Sequence, residues 1–158
     1  MTPRGCLAAS GRGLDEIRER EVLKLTETVE RQGSQPGLRL ELFVDDIARS
    51  RGFYETVLGF APSGEPGGGY VAMTKGSVTL SLNDRAQLPS DHPVQALGGE
   101  RLGRGVEIVL DVDDVEADFA QAKSLQPGCS LAMQPWGLRD FRVIDPDGYY
   151  IRVSSRRD

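Results

Sequence analysis

Apolar and polar residues alternate along Leu38-Arg39-Leu40-Glu41-Leu42-Phe43-Val44. As a strand, this segment puts Leu38, Leu40, Leu42 and Val44 on one face and Arg39, Glu41 and Phe43 on the other. Asp45-Asp46 can cap the helix that follows, in which Ile47, Phe53, Tyr54, Val57 and Leu58 supply the apolar contacts. Gly59 is placed to end that helix. Residues 62–69, rich in Pro and Gly, read as a loop, and Tyr70–Thr74 and Ser77–Leu82 read as strands joined through Lys75-Gly76.

The pattern then starts again. Val106–Val112 alternates, with Glu107, Val109 and Asp111 opposite the aliphatic face, and Asp113-Asp114 can cap a helix over Val115–Leu125. Leu131–Gln134, Phe141–Ile144 and Tyr149–Ser154 read as later strands, the last preceded by the turn Asp145-Pro146-Asp147-Gly148. Val44-Asp45-Asp46-Ile47 and Val112-Asp113-Asp114-Val115 match in position as well as type, along with the strand before and the helix after. This predicts an internal duplication. Residues 37–84 would form the first module, 85–104 a connecting loop and 105–155 the second module, within a domain spanning 37–158. Residues 1–36 read as a disordered start, an amphipathic helix over 14–31 and a Gly/Pro linker.

Composition narrows the function classes. With 39% hydrophobic and 27% charged residues, the chain can bury a core without disulfides. A net charge of -5 argues against nucleic acid or an anionic membrane as partner. Cys6 and Cys129 do not suggest a stapled secreted fold, no apolar run would span a bilayer, and no leader is evident, so a cytoplasmic protein is expected.

The segments Val44–Ile47 and Phe53-Tyr54-Glu55-Thr56-Val57-Leu58-Gly59-Phe60, with Asp145–Gly148 before the last strand, resemble the vicinal-oxygen-chelate superfamily of glyoxalases, extradiol dioxygenases and fosfomycin- and bleomycin-resistance proteins. Gln134-Pro135-Trp136-Gly137-Leu138-Arg139-Asp140-Phe141 is most similar to the bleomycin-resistance branch. The resemblance implies an α+β fold: two βαβββ modules forming a U-shaped mixed sheet, a half-barrel around a pocket, with the N-terminal helix added.

In metal-dependent members of that superfamily, each module gives one ligand from its first strand and one from its last. Aligned through the Val-Asp-Asp segments, those positions are Arg39, Glu107 and Arg152, with Thr79 or Ser81 as the fourth. Guanidinium has no lone pair to offer a cation, so neither a metal nor another cofactor is expected. Strand parity instead suggests that Arg39 and Arg152 flank Glu107 as a fixed ionic group, either holding the modules in register or binding a carboxylate, phenolate or enolate.

The leading expectation is a metal-independent small-molecule binding protein of the bleomycin-resistance type, a homodimer that confers antibiotic resistance by sequestering a drug or natural product. Its ligand-binding residues would be Arg39, Glu41, Phe43, Tyr70, Ser81, Glu107, Trp136, Tyr150 and Arg152. The alternative is a metal-free lyase, isomerase or cyclase with Glu107 as general base and Arg39 or Arg152 stabilising an anion. A metal-dependent glyoxalase or dioxygenase is third and would turn attention to Glu41, Glu107 and Asp111. A structural or partner-binding module built on the 14–31 helix is fourth.

Overall fold

A computed structural model of the protein describes residues 38–95 and 100–157. The helix and linker expected before residue 37 lie outside the described residues. The first module runs β1 (Leu40–Val44), α1 (Ile47–Thr56), β2 (Ala61–Gly67), β3 (Tyr70–Lys75) and β4 (Val78–Asp84). The second repeats it as β5 (Glu107–Val112), α2 (Val115–Leu125), β6 (Ala132–Met133), β7 (Arg139–Ile144) and β8 (Tyr150–Ser155). Each module forms a four-stranded mixed sheet, in the orders β1-β4-β3-β2 and β5-β8-β7-β6. The first strand of each lies parallel to its last, and the remaining pairs are antiparallel. The described strands close no barrel.

Local chemistry accounts for most of these boundaries. Asp46 and Asp114 cap the two helices by accepting from the backbone N–H groups of Arg49 and Ala117. After α1, Gly59 takes a positive φ of 71°, and the Phe60 N–H closes back onto the Tyr54 carbonyl at 2.9 Å. The loop expected over 62–69 is instead largely strand: Ala61–Gly67 pairs with β3, with a register break between Ser63 and Gly67. β2 is the sheet edge, where the N–H that Pro62 lacks need not meet a partner, so its Pro and Gly content misled the pattern reading.

Each helix covers one face of its own sheet. Leu42, Val44, Val71, Met73, Leu80 and Leu82 are buried with Phe53 and Tyr54 of α1. Leu110, Val112, Phe141, Val143, Ile151 and Val153 do the same with Val115 and Ala122 of α2. Burial of each such large side chain contributes about 1.5–3 kcal/mol.

The modules are joined reciprocally, the last hairpin of each meeting the helix of the other. From the first, Lys75 donates to Asp118 at 2.5 Å, and Gln121 of α2 donates to the Thr56 carbonyl at 2.9 Å. From the second, Asp147 accepts from the Asp45 N–H at 2.9 Å, Arg49 at 3.2 Å and the Ser50 hydroxyl at 2.6 Å. Asp145 accepts from the backbone N–H groups of Asp147, Gly148 and Tyr149 and from the Tyr54 hydroxyl. The Tyr149 hydroxyl both donates to the Phe43 carbonyl and accepts from its N–H, each at 3.1 Å. Burial raises the pKa of Tyr54, Asp145 and Tyr149 above their ordinary values, so the phenols stay neutral hydrogen-bonding groups. The Asp-Pro-Asp-Gly turn is therefore the bolt between modules as well as a register-setting turn.

Candidate ligand-binding face

With one face of each sheet packed on its helix, strand parity decides what stands on the other. In the second module, register groups the open-face residues into rows. Glu107, Tyr150 and Ile144 form one row, Val109, Arg152 and Arg142 the next, and Asp111, Ser154 and Asp140 the third. Charged side chains thus run through all three rows, with Tyr150 and Ile144 at one end and the buried Ser154 and Asp140 at the other.

Arg152 lies at the centre. One terminal nitrogen approaches Glu107 Oε2 at 3.5 Å, and its guanidinium sits 5.5 Å from the centre of the Trp136 ring. Trp136 is carried there by a tight turn in which the Gly137 N–H donates to the Gln134 carbonyl and Gly137 adopts φ 86°. Arg142 Nε lies 4.0 Å from Glu107 Oε1, while Arg142 Nη1 donates to Asp140 Oδ1 at 2.8 Å. Gln134 Nε2 donates to the same Asp140 oxygen at 2.8 Å. Trp136 and Tyr150 remain 47% and 37% exposed, which leaves aromatic surface free to stack on a ligand. Beside Glu107 and Tyr150, the loop from Glu100 to Val106 borders an open cleft of about 740 Å³, within the range of small-molecule sites.

The expected Arg39–Glu107–Arg152 group is not what the fold assembles. Arg152 does stand beside Glu107, but Arg39 pairs with Glu41 at 2.8 Å and its side chain is 72% exposed. Arg142 takes the second position at Glu107. The reason is topological: parity assigns a residue to a face, but Arg39 precedes the first strand of the other sheet, whereas β7 is two strands from β5. Asp140 and Arg142 were legible as open-face residues, because Phe141 and Val143 alternate with them. Their presence also changes the charge of the face, to three carboxylates (Glu107, Asp111, Asp140) against two guanidiniums (Arg142, Arg152). The expected positive surplus for an anionic ligand is thereby offset.

The remaining candidates lie on the first sheet. Glu41 and Ser81 are register partners, as are Phe43 and Asn83, and Asn83 pairs in turn with Tyr70. Ser81 is buried, Tyr70 is exposed, and the Phe43 ring lies 6.3 Å from that of His92. Among the described residues, no side-chain hydrogen bond or ion pair joins this set to the Arg152 set.

The donor set does not fit a divalent metal. Arginine stands at two of the aligned ligand positions, Glu107 is engaged by guanidinium, and no three His, Cys, Asp or Glu side chains converge among the described residues.

Two βαβββ modules, joined through their last hairpins and each leaving one sheet face without a covering helix, define a class of α+β protein. The chain belongs to the Glyoxalase/Bleomycin resistance protein/Dioxygenase superfamily, whose model matches residues 38–153. Among solved structures, a protein of unknown function from Agrobacterium tumefaciens is 27% identical, with a TM-score of 0.61 over 78% of this chain and 96% of that one. A bleomycin-binding protein complexed with bleomycin is 23% identical, with a TM-score of 0.57 over 78% of this chain and all of that one (100%). A lactoylglutathione lyase from Agrobacterium tumefaciens is 20% identical, with a TM-score of 0.57 over 77% and 94%. The last two likenesses speak to the fold. No curated protein matches the chain.

Proposed function

We propose that this protein binds a planar small molecule on the open face of its second sheet and acts by sequestration, without a metal, as a homodimer. The observation that carries the reading is the pairing of exposed aromatic surface at Trp136 and Tyr150 with an ionic floor of Glu107, Arg142 and Arg152. Flat apolar surface supplies affinity, and a few fixed polar groups supply orientation. Glu41, Phe43, Tyr70 and Ser81 on the first sheet would complete the enclosure in the assembled protein. A drug or natural product is the ligand class, in keeping with the bleomycin bound by one protein of this fold. A role in resistance and a cytoplasmic location accompany that reading.

A metal-free lyase or isomerase is favoured by one observation: Glu107 lies on an accessible face with Arg152 beside it, a base next to an anion-stabilising group. One experiment separates the two. Bleomycin and a panel of planar natural products are titrated while Trp136, the chain's single tryptophan, reports by fluorescence, and each compound is then recovered and weighed by mass spectrometry. Saturable binding with the compound unchanged supports sequestration. A changed product establishes the enzyme, and no response at Trp136 to any compound overturns both. Light scattering that finds a monomer removes the dimer.

A further inference from the structure

Asp140 has 0% exposure and both of its partners, Arg142 and Gln134, donate to Oδ1. No donor among the described residues reaches Oδ2. On the adjacent strand, Arg152 Nε is likewise buried and meets no acceptor among the described residues, although the tip of the same guanidinium faces Glu107. A buried acceptor and a buried donor that the described residues leave unmet are costly where water is scarce, and native cores contain few of them. These two belong to one face: Asp140 and Arg142 are separated by one residue on β7, and Arg142 is the register partner of Arg152. The Trp136 ring lies over the same guanidinium.

We propose that this pair reads a hydrogen-bonding edge, and that the ligand is a planar, uncharged ring system bearing an N–H donor beside a carbonyl-type acceptor, as a primary carboxamide does. The inference rests on the binding reading above and names the ligand class for that site. The N–H donates to Asp140 Oδ2, and the acceptor takes the Arg152 Nε–H, while the ring lies against Trp136. Anions are disfavoured, because they bring no donor to Asp140 and face three carboxylates on this sheet. Cations with donors alone leave Arg152 Nε unmet. Entry requires movement of the half-buried Gln134 and Arg142, both hydrogen-bonded to Asp140.

The test uses three probes on one ring: naphthalene-2-carboxamide, methyl naphthalene-2-carboxylate and naphthalene-2-carboxylate. Each is titrated into the full chain while the single Trp136 indole N–H resonance is followed. The amide should bind about tenfold or more tightly than the ester or the acid, the ratio expected when a donor to a charged acceptor is lost. Asp140→Asn should bring the amide and ester within about threefold of each other. Should that variant fail to fold, the three affinities for the unaltered protein decide alone. Equal amide and ester binding, or tighter acid binding, overturns the donor–acceptor reading and leaves the face a ligand site. If none of the three moves the resonance at millimolar concentration while the natural-product panel does, only this inference falls. If neither moves it, the site falls with it.

Discussion

Removing the Asp147 carboxylate tests whether the Asp-Pro-Asp-Gly turn bolts the modules together. In the folded protein this side chain has 0% exposure and accepts from the Asp45 N–H, from Arg49 and from Ser50, which is itself fully buried. Asp147→Ala would leave the buried Ser50 hydroxyl without its acceptor, at about 1–3 kcal/mol, while the N–H of the exposed Asp45 turns to water. Arg49 is half exposed and returns to water at little cost. The expected loss is therefore roughly 1–3 kcal/mol, a substantial share of the 5–15 kcal/mol typical of a domain. For a cooperative unit of about 120 residues, about 2 kcal/mol corresponds to a fall in Tm of roughly 8 °C. The assay is urea unfolding monitored by far-UV circular dichroism, run on Asp147→Ala, Ser50→Ala and the double variant. Contacting partners should show a coupling energy of about 0.5–3 kcal/mol. A loss below about 1 kcal/mol for Asp147→Ala, or simple additivity with Ser50→Ala, would refute the bolt.

Two glycine substitutions should differ in sign. At Gly52, inside α1, an added Cβ meets nothing within 4 Å, so Gly52→Ala should stabilise by about 0.5–1 kcal/mol. At Gly103, φ is 70° and a Cβ would stand 2.2 Å from the Tyr149 ring, so Gly103→Ala should lower the urea midpoint clearly, and an unchanged midpoint would contradict the packing of that loop on Tyr149. Arg39→Met should shift stability by no more than about 0.5 kcal/mol, because the exposed Arg39–Glu41 pair is solvated; unfolding of the variant would restore the ionic group expected from sequence. Burial is the largest influence on Asp145 and raises its pKa, so the folded carboxyl keeps its proton at pH values where the unfolded one, near about 3.9, has lost it. That contribution is complete below the unfolded value and disappears as pH rises through the folded one. Relative to Asp145→Asn, the unaltered protein should thus gain stability as pH is lowered from neutral toward about 4, and urea midpoints moving the other way would reverse the assignment.

By itself the sequence determined the duplicated strand–helix–strand pattern, both helix caps and the face on which each strand residue stands. Those features are local: a cap is satisfied within three residues, and alternation at a period of two depends only on the pleat. For the same reason Glu107 and Arg152 could be placed opposite the aliphatic face before the strands were assembled, whereas Trp136 lies in a turn that strand alternation does not reach. Tertiary structure decided which strands lie side by side, and so which charges meet. It put Arg142 rather than Arg39 beside Glu107, and turned Asp140 into a buried carboxylate with one oxygen that no donor among the described residues reaches. It also made an edge strand of the Pro- and Gly-rich segment after α1, because an edge tolerates missing donors that an interior strand does not. Pairing between distant segments depends on the whole chain closing around two cores, and no local pattern encodes it.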